Sequence, residues 1–85
     1  MYTTYILFSQ ILDSYYIGFT AVDLKKRLDK HLANHRGFTA KAKDWVVVHQ
    51  EVFPSKQQAM QREKQLKNWK SKIRIRELIL RSSTE

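Results

Sequence analysis

The sequence contains no cysteine, a single proline and only two glycines among 85 residues. Without cysteine there is no disulfide framework and no thiolate metal site, so zinc-finger readings are excluded and a reducing compartment fits. No apolar run approaches the ~18 residues of a membrane span, and the N-terminus lacks the basic-then-apolar pattern of a secretory signal. The expectation is a cytoplasmic protein with no membrane partner. Acidic residues are also scarce: eight Asp and Glu stand against sixteen Lys and Arg, for a net charge of +8. So dense a positive field attracts polyanions, of which nucleic acid is the commonest. Charge by itself says nothing about catalysis.

What is present is a globular composition, 42% hydrophobic and 28% charged. At this length the chain buries about 60% of its unfolded surface and has room for one modest core. Residues 1–81 are expected to form one domain and residues 82–85 a frayed tail.

Thr3 to Phe8 and Tyr15 to Phe19 are rich in aromatic and β-branched residues and are separated by the turn-prone Asp13-Ser14, which predicts a hairpin. Side chains alternate across a strand, so Thr4, Ile6 and Phe8 share one face while Tyr5 lies on the other with Thr3 and Leu7. In the second strand Tyr16 shares a face with Gly18 and Thr20. Both tyrosines are thus expected on the less apolar face of their strands, and Gly18 beside Tyr16 leaves room for a ligand or backbone to come close.

Thr20 and Asp23 resemble a capping signal, and Leu24, Leu28 and Leu32 recur at helical spacing until Gly37 supplies a stop, predicting a helix over 21–35. A polar, basic loop with Lys41 and Lys43 follows. Trp45 to Phe53 is strongly strand-forming and is ended by Pro54. Ser55 with Gln58 forms a capping box for a second helix carrying Ala59, Met60, Leu66 and Trp69. Ser71 caps a third helix through Ile73, Leu78, Ile79 and Leu80; the alternation in Lys72–Arg76 also suits a short strand, and helix is preferred. The fold class expected is α/β, a small three-stranded antiparallel sheet connected β-β-α-β-α-α and flanked by helices.

Several residues carry possible chemistry, each with a bland alternative. A strand tyrosine ordinarily packs its ring and bonds its hydroxyl. Arg27 and His31, one turn apart on the first helix, border its leucine stripe, where an arginine ordinarily lays its stem on the surface. His31 and His35 have metal-ligand spacing, but no third protein ligand is evident. Glu63 falls within the arc of Ala59, Met60 and Leu66 that should face the sheet, where a carboxylate is costly unless it is paired or metal-bound. Lys67 and Lys70 share that arc and are the candidate ion-pair partners.

The ordered set of Tyr5-Ile6-Leu7, Tyr15-Tyr16-Ile17-Gly18, Arg27, His31, Asp44-Trp45-Val46-Val47-Val48 and Ala59–Lys67 resembles the GIY-YIG nucleases, especially their short free-standing bacterial members. The resemblance runs from Tyr5 to Ile79, with Tyr5 and Tyr16 eleven positions apart. It implies metal-dependent endonucleolytic hydrolysis of nucleic acid, DNA before RNA, with low sequence specificity because backbone contacts carry little base information. By the same resemblance Glu63 ligates one divalent cation, magnesium before manganese, that holds the scissile phosphate. Tyr16 is the implied general base, Arg27 clamps the phosphate, Tyr5 orients water or phosphate, and His31 orients Tyr16 or takes its proton. A tyrosine pKa of about 10 must then be lowered, or its proton relayed. Gly18 is structural at the site, and Lys41 and Lys43 contact the backbone.

Thr4 stands in place of the namesake first glycine. The asparagine that many members carry about one helix length after the glutamate has no counterpart, since Asn68 is too close to Glu63. The alternative function is a non-catalytic nucleic-acid-binding module on the same fold.

Overall fold

The computed structural model describes residues 1–21, 23–33 and 42–83, with the side chains of residues 30–33 and 83 outside that description. The elements are β1 (Tyr2–Ser9), β2 (Ser14–Thr20), α1 (Leu24–Ala33), β3 (Val46–Phe53), α2 (Lys56–Trp69) and α3 (Lys72–Ser83). The sheet is antiparallel in the order β2-β1-β3, so β1 is its central strand. This is the α/β, β-β-α-β-α-α arrangement expected from the pattern.

Each face of the sheet carries its own core. Tyr5, Leu7 and Trp45 form one buried cluster, against which Leu24 and Leu28 of α1 pack. Ile6, Leu66 and Ile75 form the other, beneath α2 and α3, with Tyr15, Ile17 and Trp69 at its margin. The alternation in β1 therefore holds, but the expectation that Tyr5 lies on the less apolar face does not. Both faces are apolar because helices cover both, and Tyr5 is only 1% exposed.

Local signals place the helix ends. The Asp23 carboxylate accepts from the Lys25 backbone N–H at 3.2 Å, so Asp23 caps α1 and Thr20 stays buried at the end of β2. Ser55 accepts from the Gln58 N–H and Ser71 from the Arg74 N–H, each at 3.2 Å, as the capping patterns required. The segment 72–76 is thereby helical, not a strand. α3 continues through Ser83, two residues into the segment expected to fray, and Ser82 donates to the Leu78 carbonyl at 3.0 Å. The helical expectation for 34–35 and the stop at Gly37 fall outside the described residues.

Two features were not legible beforehand. Ile6 pairs with His49 and the next residue, Leu7, with Val47, so β3 holds one residue more than β1 at this point. This bulge interrupts the alternation at Val48; beyond it the pairing is regular, and His49 and Glu51, two residues apart on one face, lie 2.8 Å from each other. Strand β3 also starts one residue later than expected, because the buried Trp45 is held by its neighbour. Asp44 accepts from the Ser9 hydroxyl at 2.6 Å and from the Ile11 N–H at 3.0 Å, and these bonds hold its carboxyl below its ordinary pKa.

Helix α2 is fastened to the sheet by one buried hydrogen bond. The Thr4 hydroxyl donates to the Ala59 carbonyl at 2.8 Å. In helix geometry that carbonyl is also due the N–H of residue 63, so Thr4 grips the turn from which Glu63 projects. Replacing Thr4 with the near-isosteric Val is expected to cost about 1–2 kcal/mol, measured by urea unfolding. An unchanged midpoint would show that the bond contributes nothing to docking α2.

Candidate active site

The first strand and α1 bring Tyr5 and Arg27 together. The Arg27 Nε–H donates to the Tyr5 hydroxyl oxygen at 3.4 Å, a long bond between half-buried and buried partners. Tyr5 lies opposite Gly18 in the ladder. A Cβ at position 18 would fall 2.7 Å from the Tyr5 hydroxyl oxygen, 2.9 Å from its Cζ and 3.3 Å from the Tyr16 ring. The glycine is therefore needed for the space it leaves: the Tyr5 ring lies across it, and the Tyr16 ring borders the same gap. Tyr16 meets the buried Trp45 edge-on at 6.4 Å between ring centres, which fixes its direction.

Glu63 comes from the α2 layer, half-buried with 19% of its side chain exposed. Of the arc expected to face the sheet, Ala59 and Leu66 are buried and Met60 is exposed. Lys67, rather than Lys70, supplies the ion-pair partner, its Nζ 3.5 Å from a carboxylate oxygen of Glu63. Such an i,i+4 pair, with its lysine half exposed, contributes only about 0.3–0.5 kcal/mol and is readily exchanged for another cation.

The Tyr5 hydroxyl is the electrostatic meeting point of these groups. Burial raises its pKa, the bond and charge of Arg27 lower it, and the charges of Tyr16 and Glu63 raise it again; the net shift is upward. Tyr5 is thus a neutral hydroxyl at physiological pH, and the lowering that a tyrosine base requires is not found at this residue. Arg27, conversely, is held more firmly cationic by its bond to Tyr5, against the opposing effect of its own burial.

The structure thus gathers Tyr5, Tyr16, Gly18, Arg27 and Glu63 into one neighbourhood. His31 lies on α1 one turn beyond Arg27, but its side chain is outside the described residues. Lys41 is also outside them, and Lys43 is exposed in the approach to β3. Among the described residues no group of three His, Asp or Glu side chains could hold a metal. The single hard carboxylate of Glu63 does suit a magnesium ion, which keeps waters and takes the rest of its oxygen ligands from substrate phosphate. That Glu63 already accepts an ammonium shows the carboxylate is open to a cation.

Sequence reasoning missed a second polar cluster on α2 and β3. Arg62 donates through its Nε to Glu51 at 3.1 Å and through Nη1 to Gln65 at 2.8 Å. Burial pushes the Glu51 carboxyl up, and the bonds from His49 and Arg62 more than reverse this, leaving it below its ordinary value. The cluster pins α2 to the β3 edge. Its only advance signal is the i,i+2 spacing of His49 and Glu51.

Comparison with known proteins identifies the family and the fold. A family model described as the GIY-YIG catalytic domain matches residues 1–76. A UPF0213 protein from Bacillus halodurans, solved by solution NMR, is 29% identical, with a TM-score of 0.55 over 93% of this chain and 83% of its own. No curated protein matches the chain.

Two outcomes follow from the Tyr5–Gly18 contact. Gly18→Ala is expected to destabilise the fold by about 1–3 kcal/mol, because the buried ring has nowhere to swing. In a Tyr5→Leu background, where the ring is gone, the same change should cost clearly less, and a chemical-denaturation double-mutant cycle reads the difference. The raised pKa of Tyr5 gives stability fully present below the unfolded tyrosine value of about 10 and lost as pH rises through the higher folded value. Melting temperatures between pH 8 and 11 should therefore fall less steeply in Tyr5→Phe than in the wild type.

Proposed function

We propose that this chain, which belongs to the GIY-YIG catalytic-domain family, is a metal-dependent endonuclease that hydrolyses phosphodiesters, with DNA its preferred substrate. The observation that supports this reading is the convergence at Tyr5: a cationic fork, a second tyrosine and a carboxylate all act on one buried hydroxyl, which itself lies over a glycine gap.

Each side chain has a task set by its chemistry. Arg27 cannot give up its proton, and its planar fork stabilises the negative charge that builds on the phosphoryl oxygens. Tyr5, kept neutral by burial, orients the phosphate or the attacking water through its hydroxyl. Tyr16, fixed against Trp45, receives the proton of the water as its oxygen bonds to phosphorus, and passes on its own. His31 is the acceptor that the sequence pattern offers. The bond from phosphorus to the leaving strand's oxygen breaks, and that oxygen takes up a proton from solvent water, to which the proton relayed through Tyr16 is in turn released.

Glu63 is the residue to hold the divalent cation, magnesium in preference to manganese. When bound, the ion supplies Lewis-acid stabilisation of the phosphate charge. The ion pair with Lys67 is weak enough to yield to it.

Base-specific recognition is not expected of lysine and arginine contacts to phosphate. Among the described residues no helix is long and apolar enough to cross a membrane.

Purified protein with magnesium or manganese is expected to nick or cut DNA, tested on duplex, single-stranded and branched oligonucleotides with an RNA counterpart. Glu63→Ala and Tyr16→Phe should each reduce the rate at least about 100-fold, in the range of a lost acid–base or metal-binding group, with binding changed little. Activity surviving both substitutions would sink the assignment. Intact substrates throughout, bound but uncut, would leave the non-catalytic binding module as the function.

A further inference from the structure

A groove of about 510 Å³ runs along the outer edge of β2, beneath the turn between α2 and α3. Tyr16 is among its lining residues, as is Lys67, the partner of Glu63, so the groove adjoins the candidate active site at the outer edge of β2. Its rim carries Lys67, Lys70 and Lys72, while Tyr15, Ile17 and Leu66 supply an apolar floor. We infer that this groove seats a single nucleic-acid strand flanking the scissile phosphodiester, with Lys70 and Lys72 on its phosphates and a base against the Tyr15 side of the floor. The identity of the polyanion rests on the proposed nuclease reading; the placement of the strand goes beyond it.

Three observations favour this occupant. A basic rim over an aromatic and aliphatic floor is the combination that holds single strands, since every base has a face to stack and every nucleotide a phosphate. The volume lies in the range of small-ligand sites, ~300–1,000 Å³, and so takes a nucleotide or two of one strand rather than a duplex.

Lys70 also occupies a position that local energetics assigns to glycine. It ends α2 in the left-handed conformation, at φ 49° and ψ 36°. A side chain there is strained, and glycine is the usual solution. Among the described residues no carboxylate pairs with Lys70, so the strain is not offset by an ion pair. Placing a cation at the mouth of the groove accounts for it.

Lys72 is held differently. Its Nζ lies 3.0 Å from the carboxylate of Asp13, and both partners are at least half exposed. A pair so exposed exchanges readily for a phosphate. Asp13 is itself left-handed, at φ 49°, a conformation that asparagine accepts without penalty. Asp13→Asn therefore removes the charge that holds Lys72, leaving at most a neutral acceptor, without disturbing the turn.

The test measures binding of a fluorescent single-stranded oligonucleotide to the whole chain by anisotropy, without divalent cation, at several salt concentrations. Lys70→Glu and Lys72→Glu are each expected to weaken binding roughly five- to tenfold near 0.1 M salt, with a shallower salt dependence, as for a lost phosphate contact. Lys56→Glu, at the far end of α2, makes the same change in net charge and should do clearly less. Asp13→Asn should strengthen binding more than Glu77→Gln, its charge-matched control on the exposed face of α3. Lys70→Gly should raise Tm while weakening binding, which separates the role of the lysine from structural support.

Losses no greater than that of Lys56→Glu would overturn the inference, as would a wild type that binds no single strand. Losses as expected in a protein that fails to cut with magnesium would uphold the groove and refute the nuclease reading. Normal cutting with unchanged binding in the groove variants would do the reverse.

Discussion

Two adjacent residues of the central strand hold the molecule together in opposite directions. Because side chains alternate across a strand, Thr4 and Tyr5 point to opposite faces of the sheet. Thr4 donates to a carbonyl of α2, and Tyr5 accepts from Arg27 of α1. One dipeptide thereby ties both helical layers to the same point on β1. A tyrosine in that position needs an empty place on the neighbouring strand, and Gly18 provides it. Without the gap the ring would be displaced, taking with it the contact that brings Arg27 inward. The threonine that replaces the namesake glycine is thus a fastening rather than a loss.

Electrostatics at the site follow from this packing. Burial and two nearby negative or ionisable groups keep Tyr5 neutral, while Arg27 offsets part of their effect and remains charged. The two tyrosines, though similar in sequence, are in different situations: Tyr5 is sealed in a core, and Tyr16 stands half-buried at an edge where it also borders the groove. In the proposed mechanism that difference gives Tyr5 the orienting role and Tyr16 the proton transfer. Glu63 is loosely tied by Lys67, and a weak tie is what the metal-binding role proposed for it requires. The strong ties of α2 lie elsewhere, at Thr4 and in the Glu51–Arg62 cluster.

Much of the fold was legible because short-range rules governed it. Ser55 and Ser71 start their helices by the capping geometry their side chains dictate, and the β1–β2 hairpin follows from two β-rich runs around a turn. Where long-range contacts decide, the pattern misled. Strand alternation implied a more apolar and a less apolar face, with Tyr5 on the latter, yet the helices on both sides make each face a core and Tyr5 a core residue. The bulge at Val47–His49 follows from pairing with β1, and nothing in the run of valines marks it. Asp44 fell at the end of the polar loop before the third strand and is the anchor of the β1–β2 turn.

By itself the sequence determined the family, the order of elements and the identities of the candidate site residues, since residue type and spacing suffice for those. Tertiary structure alone decided which of them share an environment. It showed that Gly18 matters for the ring it admits, that Lys67 rather than Lys70 pairs with Glu63, and that Lys70 is left at the rim of a groove in a conformation better suited to glycine. The physical reason is that electrostatic and steric coupling fall off over a few ångströms in space, and distance along the chain carries no measure of that separation.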